Sequence, residues 1–178
     1  MKIKSKTAFR EPTKTANLNR WYRRRLLQIA KQVDLIAREF DEETDLFVAV
    51  SQIQRRLFSY EDSLNAYALD IASVMLKRAE QADYDTWLRV GEGITRATRK
   101  RLRSPAIANE YQRMQAEQVD LIKTIPHNAA MKVHEWVRSG LAEGQRFPEI
   151  AARIKNELGA STEARAICIA RTETARAR

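Results

Sequence analysis

The chain has 178 residues and a formal net charge of +9, and it contains only five glycines and four prolines. Turn residues are too few for a many-stranded fold, whereas strong helix formers such as Ala, Leu, Arg and Glu are plentiful, so the composition predicts an all-α protein. The single cysteine, Cys168, excludes an internal disulfide framework and favours a reducing compartment, where it is expected to be an inert helix residue.

The positive charge is concentrated at the beginning of the chain. Residues 1–38 contain eleven Lys or Arg against two acidic residues, a balance of +9, and the remainder is neutral overall. Residues 1–16 lack apolar periodicity, so we expect a flexible basic arm there. From Asn17 onward, apolar residues recur every three or four positions, which predicts an amphipathic helix. Its buried face would consist of Leu18, Tyr22, Leu26, Ile29, Val33, Ile36 and Phe40.

Three further helices are predicted up to residue 103. The second follows the acidic turn at 41–45, whose carboxylates suit a helix N-terminus. The third begins with Ser59 and Asp62, which are spaced like a capping box, and the fourth begins near Asp83. These helices would form an N-terminal helical region over residues 17–103.

Four more helices are predicted over residues 104–178, which would form a second helical region. Most of the ends of these helices are marked by a proline at the first position of a helix or by a glycine just after its last position. The expected boundary residues are Ser104 and Pro105 with Pro126 for the fifth helix, Gly144 for the end of the sixth, Phe147 and Pro148 with Gly159 for the seventh, and Ser161 for the start of the eighth. The prediction is therefore a bundle of about eight helices.

The sequence contains no recognisable catalytic or cofactor-binding motif, so we expect neither an enzyme nor a bound cofactor. His127 and His134 lie seven positions apart and lack the close spacing and further ligand of a metal site. No apolar run reaches the roughly 18 residues of a membrane span, and no apolar segment of a secretory signal follows the basic N-terminus.

Two basic clusters are candidate binding surfaces for a partner or for DNA. Each is either a solvated helix face or a contact for anions such as nucleic acid, and neither resembles a sequence-specific DNA-binding motif. The first cluster surrounds two aromatic residues that could stack or anchor, and it consists of Arg20, Trp21, Tyr22, Arg23, Arg24 and Arg25. The second consists of Arg99, Lys100, Arg101 and Arg103.

Three segments follow one another in the chain, namely residues 117–126 (EQVDLIKTIP), 143–147 (EGQRF) and 161–174 (STEARAICIARTET). Their order resembles that in the phage Mu F-type minor head proteins, the head morphogenesis family of tailed phages. The resemblance covers about residues 104–178, and the IARTET segment is its most specific part. It implies a non-catalytic protein of the virion, made in the host bacterial cytoplasm and located in the phage head near the portal. Relatives of this kind usually continue into a strand-containing region, so the chain is expected to stop before a C-terminal α+β part.

The resemblance also implies partners, namely the portal protein and other head proteins, with an oligomeric state imposed by the portal assembly and with double-stranded DNA as a further possible contact. An alternative interpretation is a helical protein that binds nucleic acid without sequence preference.

The motif residues Ala170, Arg171, Thr172, Glu173 and Thr174 are predicted to be structural, with direct portal contact as the alternative. Ala166, Ile167, Ala170 and Thr174 follow helical spacing and would form a small packing face. Arg171 and Glu173 point in different directions, and we expect one of them to pair with an earlier helix.

Overall fold

The computed structural model describes residues 13–39, 45–90 and 105–177 of the chain. Its five helices are α1 (Thr13–Arg38), α2 (Leu46–Ser63), α3 (Asn65–Val90), α4 (Pro105–Ala142) and α5 (Phe147–Arg176). No strand occurs within these ranges. The all-α prediction is confirmed for them, but the predicted number of eight helices is not, because several predicted boundaries lie inside longer helices.

Helices α2 and α3 follow each other end to end and run antiparallel to α4. Only Leu64 separates them, and its backbone remains close to helical. The Gln54 amide in α2 donates to the carbonyl of Ala130, and the Tyr111 hydroxyl in α4 donates to the carbonyl of Ser73 in α3. Helix α4 has 38 residues and is therefore about 57 Å long, enough to accompany both partners.

Helices α1 and α5 form the second antiparallel pair. Asn19, near the start of α1, contacts Thr174 near the end of α5, whereas Asp34 near the end of α1 lies against Gly159 in the middle of α5. A β-carbon added at Gly159 would lie 2.8 Å from Cγ of Asp34, so glycine permits this close approach.

Two apolar clusters make up the core, and α1, α4 and α5 contribute to both. The first cluster joins the beginning of α1 to α3 and to the end of α5, with Tyr22, Leu26, Ile71, Met75 and Ile122 fully buried. The second joins the end of α1 to α2 and to the beginning of α5, and its members include Val33, Leu57, Val133, Ile150 and Leu158. Residues on both sides of position 104 therefore share the same core.

Two residues predicted to end helices lie inside them. Pro126 is buried within α4, and Gly159 lies in the middle of α5, so the predicted fifth and sixth helices are one, as are the seventh and eighth. Pro126 lacks the amide hydrogen that an interior helix position normally donates. Packing of neighbouring residues such as Ile122 and Ile125 into the core outweighs this local cost.

Two predicted starts are also wrong. Ser59 and Asp62 lie in the last turns of α2, where they begin no new helix, and Asp83 lies within α3. Leu57, Leu64 and Ala68 are buried on either side of Ser59 and Asp62, so core packing carries α2 past these potential caps.

Other predicted boundaries are confirmed. Asp45 caps α2, with its carboxylate accepting from the amides of Phe47 at 2.9 Å and of Val48. Pro105 begins α4, and Pro148 lies in the first turn of α5. Gly144 follows α4 with a φ of 73°, the left-handed conformation that glycine adopts readily.

Helix α1 begins at Thr13 and so includes the last residues of the predicted arm. The rest of that arm, residues 1–12, lies outside the described residues, as does Phe40.

Candidate functional site

The motif segment 170–174 forms part of the last turns of α5. Ala170, Glu173 and Thr174 are buried, while Arg171 and Thr172 are exposed to solvent. The segment therefore has an inner side that contacts other helices and an outer side on the molecular surface.

Asn19 of α1 binds the inner side of the motif. Its amide Nδ2 donates to Thr174 Oγ1 at 2.8 Å and to the Ala170 carbonyl at 3.2 Å. The Thr174 hydroxyl in turn donates to the same carbonyl at 2.6 Å, which leaves its oxygen free to accept from Asn19. This arrangement fixes the register between α1 and α5.

Gln118 of α4 connects α1 and α5 within the core. The Tyr22 hydroxyl donates to Gln118 Oε1 at 2.8 Å, and the Gln118 amide donates to the Glu173 carboxylate. All three residues are buried, with Gln118 only 2% exposed. Burial, and secondarily the negative charge of Glu173, raise the pKa of Tyr22 well above its usual range, so its hydroxyl remains a donor.

A buried carboxylate requires polar partners, and Glu173 has a second one at the surface. The Arg176 guanidinium lies 3.9 Å from Glu173 and donates to Glu117 at 2.9 Å, and Arg113 also donates to Glu117. In agreement with the sequence hypothesis about the motif, Glu173 bonds to an earlier helix. Arg171 makes no such contact with any described residue.

The structure separates the members of the first basic cluster. Tyr22 is fully buried in the core and is not available to a partner. Trp21 is half-buried against the guanidinium of Arg78, which lies 4.5 Å from the centre of its ring. Arg20, Arg23 and Arg24 are exposed and Arg25 is half-buried.

Two further cations, Lys31 and Arg38, are exposed on the same outer side of α1. The sequence analysis did not single them out, although Lys31 lies seven residues and Arg38 fourteen residues after Arg24, a spacing that would have placed all three on one helix face. The second predicted cluster, Arg99, Lys100, Arg101 and Arg103, lies outside the described residues.

His127 and Cys168 are two further candidate groups among the described residues. His127 Nδ1 lies 3.0 Å from the Glu61 carboxylate, and its ring rests against Phe58. Across residues 13–39, 45–90 and 105–177, no three His, Cys, Asp or Glu side chains are grouped as metal ligands. Cys168 is exposed on α5. An open groove between α1 and α5, lined in part by Lys31 and Asp34, has a volume of about 420 Å³.

The chain is similar to an uncharacterized protein of Haemophilus influenzae (strain Rd), with 29% identity over 171 residues. The match covers 88% of this chain and 38% of the relative, so the chain spans about two fifths of the relative's length. No protein-family model and no solved structure matches the chain. No helix in the described ranges is long and apolar enough to cross a membrane.

Proposed function

We propose that this chain is a helical, non-catalytic module of a tailed-phage minor head protein that associates with the portal during head assembly. Its basis is the ordered set of segments that resembles the Mu F-type proteins, ending in the motif at 170–174. Under this proposal, a strand-containing region follows residue 178, and the mature protein resides in the phage head.

The observation that carries the proposal is the two-sided placement of the motif. Ala170, Glu173 and Thr174 bind α1 and α4, whereas Arg171 and Thr172 lie on the surface. An arrangement of this kind makes a rigid helix end that presents a defined outer face, which suits a docking protein. The buried motif residues would then be structural, and the exposed ones would contact the portal.

The test is co-purification with the portal protein encoded in the same genome. Truncation of residues 1–38 is unsuitable, because α1 supplies Tyr22, Leu26 and Ile29 to the core. We therefore expect Arg171→Glu to reduce portal capture at least about tenfold, as a rim charge reversal can, without lowering the melting temperature. Arg55→Glu on α2 is the matched control, because Arg55 is also exposed.

Two results would overturn parts of this proposal. If the unaltered chain fails to bind assembled portal rings, the proposed function is wrong. If Arg171→Glu and Arg55→Glu bind the portal equally well, the outer side of the motif is not the contact surface.

A further inference from the structure

Helix α1 has a row of cations along its outer side. Arg20, Arg24 and Lys31 are all exposed, and their spacings of four and seven residues place them on one face. Arg23 is exposed beside them, and Arg38 continues the row one heptad beyond Lys31. From Arg20 to Arg38 the row extends about 27 Å at the rise of an α-helix.

Apart from Arg38, these cations are not neutralised within the described part of the molecule. Helix α1 contains seven basic residues and one acidic residue, Asp34. The Asp34 carboxylate is bound by Arg38 at 2.9 Å, and Arg20, Arg23, Arg24 and Lys31 form no ion pair with any described residue. Cations this close repel one another, so an extended polyanion would complement the row.

The composition of this face favours phosphate over an acidic protein. Protein interfaces are usually centred on apolar or aromatic anchors, but Leu35 is the one large apolar residue on α1 that is well exposed among those described. The exposed aromatic pair, Phe47 and Phe147, lies instead on α2 and α5. Arginine guanidinium groups, which predominate in the row, bind phosphate oxygens in a bidentate manner.

The same face favours a duplex over a single strand. Proteins that bind single strands stack the bases on exposed aromatic side chains. The two aromatic residues of α1 are not free for this, because Tyr22 is in the core and Trp21 is half-buried beneath Arg78. A row of cations without a stacking platform matches the regular phosphate backbone of a duplex.

We propose that the outer face of α1, formed by Arg20, Arg23, Arg24 and Lys31, binds the phosphate backbone of duplex nucleic acid without reading its sequence. The proposal does not depend on portal binding, and its test uses different residues from those that test the proposed function.

The test compares two double variants of the full chain for binding to a mixed-sequence DNA duplex over a range of salt concentrations. Arg20→Gln with Arg24→Gln removes two cations from the α1 face, whereas Arg55→Gln with Arg138→Gln removes two exposed cations from α2 and α4. Both variants keep every other basic residue of the chain. We expect the α1 variant to reduce the log–log salt slope by about 1.8 and the affinity roughly 50-fold near 0.1 M salt, since each phosphate contact contributes about 0.9 to the slope.

Circular dichroism and the melting temperature establish that both variants are folded, and Lys31→Gln alone, with an expected slope change of about 0.9, provides a milder substitution. Equal slopes for the α1 variant and the control would overturn the proposal. So would tighter binding of the matching single strand, or of polyglutamate of equal charge, with the same dependence on Arg20 and Arg24, because these results would indicate a single-stranded or an acidic protein partner.

Discussion

The side-chain amide of Asn19 donates a 2.8 Å hydrogen bond to the hydroxyl oxygen of Thr174, and so connects residues 155 positions apart in the chain. A second bond from the same amide reaches the Ala170 carbonyl. These contacts join the first described helix to the last and so anchor the motif to α1. The motif and the basic helix therefore behave as one structural unit.

Replacing Asn19 with Ala is expected to lower the free energy of unfolding by about 1–2 kcal/mol, the usual cost of removing a partly buried hydrogen-bond donor. Urea denaturation of the variant and the unaltered chain measures the change. Asn156→Ala is a suitable control, because Asn156 is exposed on the same helix as the motif and should cost less than about 0.5 kcal/mol. Equal effects of the two substitutions would contradict a specific role for Asn19.

Gln118→Leu should be more costly than Asn19→Ala. The substitution leaves the Tyr22 hydroxyl and the Glu173 carboxylate buried without their shared partner, and we expect a loss of about 3 kcal/mol. Tyr22→Phe alone should cost about 1 kcal/mol, but much less in the Gln118→Leu background, since its bond is already absent. Denaturation of all four chains gives the coupling energy, and strict additivity would show that the bond contributes nothing.

The raised pKa of Tyr22 predicts a loss of stability in alkali. The folded chain retains the phenolic proton above about pH 10, where an unfolded tyrosine has released it, so rising pH favours the unfolded state. Burial, and secondarily the neighbouring Tyr67, raise the pKa of Tyr60 to about 12, so Tyr60 contributes to the same loss of stability in alkali. Between about pH 9 and about pH 11, we expect the free energy of unfolding of the Tyr22→Phe variant to fall by roughly 1.4 kcal/mol less than that of the unaltered chain. Urea midpoints across this range measure the difference, and parallel profiles would refute it.

The sequence was most informative where a local signal and the core required the same structure. The spacing of Tyr22, Leu26 and Ile29 correctly indicated the buried face of α1. The acidic turn at 41–45 and Gly144 were recognised as helix boundaries because a cap and a left-handed turn depend on neighbouring residues alone.

It was least informative where distant packing decided the outcome. Pro126 continues α4 because its neighbours are buried against other helices, which its own sequence context does not reveal. At the candidate site, arginines adjacent to Trp21 and Tyr22 suggested a shared binding surface. The hydrogen-bond partner of Tyr22, Gln118, lies 96 positions away in the chain, and Gln118 in turn donates to Glu173.

Gly159 offers a direct test of packing against local preference. It was expected to end a helix, but α5 continues through it and Asp34 lies against its Cα. Alanine is favoured over glycine within a helix by about 1 kcal/mol, yet here its β-carbon would meet the Asp34 carboxylate. We expect Gly159→Ala to lower the free energy of unfolding by about 1–2 kcal/mol, because α1 and α5 must separate slightly.

The effect of Gly159→Ala on the free energy of unfolding should change sign when Asp34 is first replaced by Ala. The Asp34→Ala background removes the carboxylate and leaves only the β-carbon, 3.2 Å from the added methyl group, so the helix preference of alanine should then give a net gain of about 0.5 kcal/mol. Gly144→Ala serves as the control, since its cost arises from the positive φ and should be the same in both backgrounds. Denaturant midpoints of these chains measure whether the effect of Gly159→Ala depends on Asp34. If Gly159→Ala changed the free energy of unfolding equally with and without the Asp34 carboxylate, the close approach of α1 to α5 would not require glycine at position 159.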